Sequence, residues 1–418
     1  MRIVSTLALA VALGSAVVAT PAFAKDKKED AAPAAKYTPA VQKALVAAQA
    51  ALKAGDTATV TAQVAAAKAA GLVTPDDKYA TGSIEYQLYQ TTKDDATLRD
   101  AVELMVSAGT ATPANLAQLY TVRAQLAYQA KDYTKASDSA TQAMKNGATE
   151  PSLVPILVTS LSNLGQTLAA LTALNGYIDK SAAAGQPVPV EWYQRGLAIG
   201  YGSKSTTDVD AIHTATSEIT RKWVASYPTK QNWHDALVTY MSQYKIPTDV
   251  QVDVFRLLRA AGALLGDNDY REYAADVYLR YPGEANTVLT EGGSKGVLNL
   301  TGKNDASDLL GVVKGKVAAD KASLPASDKS ARAAADGKAA VSTADAYVGY
   351  GQYPQAIELY KIALTKGADA STVNLRMGWA LASSGDSAGA KAAFAQVTGI
   401  RKPIADFWVV HLDHPTAG

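Results

Sequence analysis

Cysteine is absent from the 418 residues of this chain, and histidine occurs only 4 times. Without cysteine the chain forms no disulfide and offers no thiolate to a structural metal ion. A lipid anchor on an N-terminal cysteine is not expected for the same reason. The sequence therefore predicts neither a metal site nor a cofactor.

An excess of charge of either sign is also missing. The chain has 40 Lys and Arg against 39 Asp and Glu, a formal net charge of +1 at pH 7. Proteins that bind nucleic acids normally carry a basic footprint, because phosphate groups attract Lys and Arg. We therefore expect no nucleic acid among the partners of this protein.

Catalytic motifs are scarce. Residues 292–296 read G-x-S-x-G, the nucleophile-elbow pattern of α/β-hydrolases, with Ser294 in the position of the nucleophile. That elbow needs a buried strand before it, whereas the surrounding sequence has helical patterns. P-loop and H-E-x-x-H strings do not occur. We predict that the chain is not an enzyme, and a hydrolase that uses Ser294 is a remote alternative.

The chain does contain a repeat with a period of 34 residues. Residues 337–370 and 371–404 carry small and apolar side chains at matching positions. The matched pairs are Ala344 with Gly378, Tyr347 with Leu381, Gly351 with Gly385, Ala356 with Ala390, Tyr360 with Phe394, and Ala363 with Val397. Residues three or four apart share one face of a helix, so each segment predicts two helices joined by a turn.

Glycine marks the turn of each repeat. Gly351 and Gly385 follow the apolar residue of the first helix by four positions, where a left-handed conformation favours glycine. One helical hairpin cannot bury both of its apolar stripes, which favours the stacking of successive units. The pattern resembles the tetratricopeptide repeat, a helix-turn-helix unit. The resemblance implies an all-α fold, an α-solenoid of helix-turn-helix repeats.

Weaker copies of the repeat occur earlier in the chain. Residues 117–184 show the same apolar pattern at an offset of 34. Trp192 and Trp233 resemble the openings of two further first helices, although their spacing is 41. The polar segment 203–208 accounts for the excess as a longer loop.

The first 24 residues have the composition of a secretory signal peptide. Arg2 supplies a positive start, residues 7–18 form an apolar run, and residues 22–24 provide a small-x-small cleavage site. The run is short for an uncleaved bilayer span, which is the alternative. We predict cleavage after Ala24, no membrane span after cleavage, and a periplasmic location.

Composition divides the remainder into four segments. Residues 25–38 are charged and rich in Ala and Pro, which predicts a disordered leader. Residues 39–282 are predicted to form an N-terminal superhelix of degenerate repeats. Five glycines between 283 and 303 predict a Gly-rich loop. Residues 304–418 are predicted to form a C-terminal tetratricopeptide-like region, in which Pro325 breaks the first helix.

The resemblance implies that partners bind the concave face, which the first helices of successive units line. Candidate binding residues lie on those helices at positions that the packing pattern does not use. They are Gln118, Gln125, Tyr128, Gln129, Thr159, Ser162, Asn163, Asp345, Arg376 and Trp379. Amide side chains both donate and accept hydrogen bonds, so the set suits an extended peptide backbone.

The candidates depart from the carboxylate clamp of chaperone-binding repeats. Val341 and Asp345 occupy two positions where that clamp needs Lys and Asn. Acidic C-termini are therefore not expected to bind there. We predict an exported scaffold or adaptor that binds a protein or peptide of the cell envelope. The alternative is a periplasmic protein that binds a small ligand or a glycan.

Overall fold

The computed structural model describes residues 35–416, which contain helices and no strand. The predicted all-α fold of helix-turn-helix repeats is confirmed. The predicted signal peptide at 1–24 lies outside the described residues, as do residues 25–34 of the predicted leader. Between residues 35 and 416, no helix combines the length and the apolar character that a bilayer crossing needs.

Two compact units make up the described chain. The first unit comprises described residues 35–188 and 203–212, and its helices pack as consecutive pairs. They are α1 (Pro39–Ala54), α2 (Thr57–Ala69), α3 (Pro75–Thr92), α4 (Asp95–Ala108), α5 (Pro113–Gln129), α6 (Tyr133–Lys145), α7 (Leu153–Asn163) and α8 (Thr167–Ala183).

The second unit comprises residues 189–202 and the described residues from 213 onwards. The residues between 209 and 212 at the start of α10 belong to the first unit. The helices are α9 (Val190–Tyr201), α10 (Val209–Ser226), α11 (Lys230–Tyr244), α12 (Thr248–Ala260), α13 (Asp267–Val277), α14 (Pro282–Ser294), α15 (Asp305–Ala333), α16 (Lys338–Gly349), α17 (Tyr353–Thr365), α18 (Ala370–Ser383), α19 (Ser387–Phe394) and α20 (Lys402–Asp413). A 3-10 turn, Gly399–Arg401, precedes α20.

The two strong repeats form two helical hairpins, α16 with α17 and α18 with α19. Gly351 and Gly385 lie two residues after the first helix of each hairpin with φ angles of 71° and 91°, so the predicted left-handed turns are confirmed. Gly378 explains why the first helix needs a small residue. A Cβ atom there would lie 2.4 Å from the ring of Phe394 on the second helix of the same hairpin.

The predicted Gly-rich loop at 283–303 is wrong over most of its length, because α14 occupies residues 282–294. The glycines within α14 are packing contacts. A Cβ atom on Gly283 would lie 2.5 Å from the ring of Tyr350, and one on Gly293 would lie 2.3 Å from Leu300. Close packing therefore explains Gly283, Gly292 and Gly293, whereas Gly296 and Gly302 lie in the irregular segment with φ angles of 71° and 79°. Only residues 295–304 are irregular.

Pro325 does not break α15, which continues through it to Ala333. A proline inside a helix removes one backbone donor and one hydrogen bond. Leu310 and Val313 before the proline are buried, as are Leu324 and Ala331 around and after it. Packing on both sides outweighs the single missing hydrogen bond, and the helix runs for 29 residues.

Two predicted boundaries also differ from the structure. The predicted superhelix at 39–282 spans both units, because the chain passes from one unit to the other after residues 188, 202 and 212. The predicted disordered leader ends too late. The Lys36 amide donates to Asp76, and the Thr38 amide donates to Asp77 Oδ1 at 2.9 Å. These contacts attach residues 36–38 to the start of α3.

The first unit contains a buried carboxyl that should make its stability depend on pH. Burial raises the pKa of Glu85 on α3 to about 7, because desolvation outweighs its contact with the Lys68 ammonium. The folded unit therefore binds a proton more readily than the unfolded chain between about pH 4.5 and 7. The free energy of unfolding should fall as pH rises through that window.

Glu85→Gln is expected to remove this pH dependence. Hydrogen exchange of the α3 amides, corrected for intrinsic rates, measures the free energy of opening at each pH. Glu103→Gln is the matched control. Burial acts to raise the pKa of Glu103, but contacts with Arg123 and Lys135 lower it overall, so Glu103 titrates below the window. An unchanged slope in Glu85→Gln would contradict the assignment.

Candidate binding cleft

The second unit buries six charged side chains that come from distant parts of the sequence. We call this group the ion-pair network, and each member is at most 8% exposed. The members are Asp253 and Arg256 on α12, Glu284 on α14, Asp345 on α16, Arg376 on α18, and Arg401 in the 3-10 turn. Three acidic and three basic groups make the network formally neutral.

Arg256 links α12 to α14. Its Nε and Nη2 atoms each donate to one oxygen of Glu284 at 2.9 Å, the paired geometry that suits a guanidinium and a carboxylate. Its Nη1 atom donates to Asp253 at 3.1 Å. Burial opposes the charge, but contact with Glu284 raises the pKa of Arg256 above its usual range. The guanidinium also lies over the Trp379 ring, 4.3 Å from its centroid.

Asp345 joins α16 to α18. It accepts from Arg376 Nη1 at 2.7 Å and from the Tyr281 and Tyr360 hydroxyls at 2.7 and 2.5 Å. Burial alone would raise the pKa of Asp345, but Arg376 and Arg256 hold it below the usual range, helped by the two hydroxyls. The carboxylate is therefore charged in the folded unit at neutral pH.

Asp253 is the point where three arginines meet. Its Oδ1 atom accepts from Arg256 and from Arg376 Nε, each at 3.1 Å. Its Oδ2 atom accepts from Arg401 Nε at 2.9 Å. Buried ion pairs contribute little net stability when they replace apolar contacts, but removing one partner is costly. The network therefore fixes which residues of successive first helices face each other.

A cleft of about 240 Å³ lies beside the network and is lined by residues of α12, α13, α14, α16, α17 and α18. Its buried residues are Arg256, Glu284, Val348, Trp379 and the α13 residue Tyr273, and the half-buried Gly349 of α16 also lines it. The more accessible residues are Arg259, Ala260, Glu291, Tyr353 and Ser383. We call these last five the rim.

The rim carries a partly exposed ion pair. Arg259 Nε donates to Glu291 Oε2 at 2.7 Å, and Lys295 donates to Glu291 Oε1 at the same distance. Burial acts to raise the pKa of Glu291, but hydrogen bonds from Lys295 and Arg259 lower it overall. Both carboxylate oxygens are therefore occupied, and the carboxylate stays charged at neutral pH.

Three of the predicted binding residues lie in the cleft or in the ion-pair network beside it, but they are less exposed to solvent than predicted. Asp345 is fully buried, Arg376 is 8% exposed and Trp379 is 7% exposed. The prediction that Asp345 and Arg376 are free of packing is wrong, because both belong to the ion-pair network. Trp379, for which packing between helices was the alternative, covers Arg256. Trp379 alone of the three lines the cleft.

The other predicted residues lie on α5 and α7 of the first unit, two first helices that pack against each other. Gln129 and Asn163 are exposed, and the others are half-buried. The half-buried residues are Gln118, Gln125, Tyr128, Thr159 and Ser162. The Asn163 amide donates to the Thr159 carbonyl within α7. Partner binding by this set stays a prediction.

Sequence reasoning missed Arg259 and Tyr353 of the rim. Arg259, Tyr353 and Ser383 come from three helices, and no short motif contains any two of them. The 34-residue period gives no signal for Arg259, because α12 lies outside the two strong repeats. The signal that the sequence did offer was charge within α12, because Asp253 and Arg256 interrupt an otherwise apolar run.

The G-x-S-x-G string does not form a nucleophile elbow. Ser294 is the last residue of α14, and its hydroxyl donates to the Glu291 carbonyl at 2.8 Å. An elbow needs a strand before the serine, and here a helix precedes it. Over the described range, 35–416, no cluster of three or more His, Cys, Asp or Glu residues could hold a metal ion.

Comparisons with known proteins give no functional assignment. No family model matches the chain. No curated protein matches it either. The chain is similar to a chain in a solved structure of Naa15/Naa10 bound to HypK-THB, with 14% sequence identity and a TM-score of 0.27. That alignment covers 88% of this chain and 64% of the other, so this chain spans less than two thirds of it. Similarity at this level carries no argument about function.

Proposed function

We propose that this chain is an exported scaffold or adaptor that binds a protein or peptide of the cell envelope through the first helices of its repeats. The observation that carries the proposal is the cleft of the second unit. Most of its lining comes from α12, α14, α16 and α18, which a buried network joins to one another, and Tyr273 of α13 and Tyr353 of α17 complete it. A preorganised surface binds a partner with less loss of conformational freedom.

The first unit adds a second polar surface to the proposal. Amide and hydroxyl side chains of α5 and α7 are exposed or half-buried on two helices in contact. Such groups suit hydrogen bonds to a peptide backbone. The signal-peptide composition of residues 1–24 supports a periplasmic location for this binding. The proposal includes no catalytic step.

Photo-crosslinking in intact cells tests the proposal. A photoreactive residue at Tyr353 in the rim, or at Gln125 on α5, is expected to give a discrete protein adduct that mass spectrometry identifies. Both positions are more accessible than Trp379, which is too buried to report on a partner. A photoreactive residue at Lys329 on α15, an exposed position outside the cleft, is the matched control.

Each outcome of this experiment decides between two functions. An envelope protein captured at Tyr353 or Gln125 and not at Lys329 supports the scaffold. Folded, exported protein that captures no protein at either site contradicts it. Thermal stabilisation by glycan fragments under those conditions would favour the alternative, a small-ligand or glycan-binding protein.

A further inference from the structure

We propose that the cleft of the second unit binds a carboxylate group, held by Arg259, Tyr353 and Ser383. This inference rests on the proposed function and names the chemical group that the site would recognise. Arg259 lies near the end of α12, Tyr353 begins α17 and Ser383 ends α18. The fold brings these three residues to one cleft from distant positions in the chain.

The three side chains have hydrogen-bond donors to offer. Arg259 uses its Nε atom on Glu291, while its two Nη groups donate to no acceptor within residues 35–416. The hydroxyls of Tyr353 and Ser383 likewise form no hydrogen bond with any described residue. A guanidinium only donates, and both hydroxyls are able to donate. The group that satisfies all three is an acceptor.

The charge of the rim selects an anion with a single charge. Within the rim the charges of Arg259 and Glu291 cancel, and Lys295, which pairs with Glu291 from outside the cleft lining, gives this cluster one net positive charge. A carboxylate balances that charge. A phosphate group carries close to two negative charges at pH 7 and would leave the site negative. Guanidinium and carboxylate also match in planar, paired geometry.

The size of the cleft limits what carries the carboxylate. At about 240 Å³ it is smaller than the range of roughly 300–1,000 Å³ that accommodates drug-sized ligands. One or two residues at the end of a peptide fit such a volume, and so does a small organic acid. Trp379 and Val348 supply apolar wall next to the donors.

The proposed site differs from the clamp positions that the sequence argued against. Val341 and Asp345 lie on α16, and Asp345 is fully buried with its oxygens occupied. The three donors lie on other helices. The absence of Lys and Asn at the clamp positions is therefore no argument against carboxylate binding at the rim.

Calorimetry with the folded, signal-free chain tests the proposal. The probes are a degenerate pool of five-residue peptides with free C-termini, the same pool with amidated C-termini, sodium acetate, sodium succinate and inorganic phosphate. We expect the free-acid pool to bind and the amidated pool to bind at least 10-fold more weakly. Binding of acetate or succinate as tight as that of the free-acid pool identifies a small organic acid as the source of the carboxylate.

Variants at the rim separate this site from other cationic surfaces. Arg259→Gln is expected to weaken carboxylate binding by about 10- to 100-fold, because it removes a charge-assisted contact. Ser383→Ala and Tyr353→Phe each remove one hydroxyl without removing the packed part of the side chain, and should weaken binding by about 2- to 10-fold. Arg280→Gln, on an exposed residue after α13, is the matched control and should bind like the wild type.

The failure of this proposal differs from the failure of the proposed function. Equal binding of free and amidated pools, tighter binding of phosphate, or no binding of any probe by folded protein would overturn carboxylate recognition. If Arg259→Gln also retains the protein adduct at Tyr353, partner binding stands and the carboxylate assignment falls. If the chain binds the carboxylate probes but gives no protein adduct, carboxylate recognition stands and partner binding falls.

Discussion

Replacement of Asp345 by alanine is expected to lower the free energy of unfolding of the second unit by about 3–5 kcal/mol. The wild-type carboxylate accepts three hydrogen bonds and lies where Arg376 and Arg256 need a counter-charge. Its removal leaves buried positive charge with one fewer partner. Burying an unpaired charge costs far more than the pair contributes.

Urea unfolding followed by tryptophan fluorescence measures this loss in the second unit alone. All 5 tryptophans of the chain lie in that unit, at positions 192, 223, 233, 379 and 408. Asp305→Ala is the matched control, because that side chain is 94% exposed at the start of α15. We expect the control to cost at most about 1 kcal/mol. A loss in Asp345→Ala no larger than in the control would contradict the network as described.

The pH dependence of stability at the same position follows from the sign of the pKa shift of Asp345. The folded pKa of Asp345 is lower than that of an unfolded Asp, which is about 3.9. Its stabilising contribution is therefore present above that value and is lost as pH falls through the folded pKa. Wild-type protein should lose stability below about pH 4, and Asp345→Asn should lose less over that range.

Addition of one methyl group at Gly378 is expected to cost the second unit about 1–3 kcal/mol. The new Cβ atom in Gly378→Ala would lie 2.4 Å from the Phe394 ring, which real contacts do not tolerate. Phe394 is 1% exposed and stacks on Trp408, so the ring has no free space to enter. The two helices of the hairpin must separate instead.

Gly311→Ala tests whether the cost comes from the contact and not from the loss of glycine. Gly311 lies inside α15, where a new Cβ atom would meet no neighbouring side chain or other helix within 4 Å. Because alanine favours helix over glycine, this change should stabilise by about 0.5–1 kcal/mol. Both variants are measured by urea unfolding with tryptophan fluorescence, as for Asp345→Ala. Destabilisation of similar size in both would refute the steric explanation.

A double variant isolates the contact. Phe394→Leu replaces the ring with a smaller aliphatic side chain, and Gly378→Ala should cost less stability in that background than in the wild type. The difference between the two costs is the coupling energy of the pair. Equal costs in both backgrounds would show that the destabilisation by Gly378→Ala does not come from contact with Phe394.

Spacing along the sequence was enough to predict the local structure of the strong repeats. Small residues, apolar residues and turn glycines recur every 34 positions, and the helices α16 to α19 follow that pattern. The reason is that helix faces and left-handed turns depend on residues only three or four apart. The wrong predictions concern glycine and proline, because each of these residue types occurs in more than one structural context. The glycines of α14 lie against side chains from other parts of the unit, and Pro325 lies within a helix that is packed on both sides of it.

The sequence by itself determined the all-α repeat, its turns and the near-zero net charge, because each is a property of local spacing or composition. Only the tertiary structure decided which polar residues are buried and which line the cleft. Asp253 meets Arg376 and Arg401 across 123 and 148 residues of chain. Arg259, Tyr353 and Ser383 meet at the rim in the same way. Periodicity fixes the face of a helix on which a residue lies, but the stacking of many helices sets its partner.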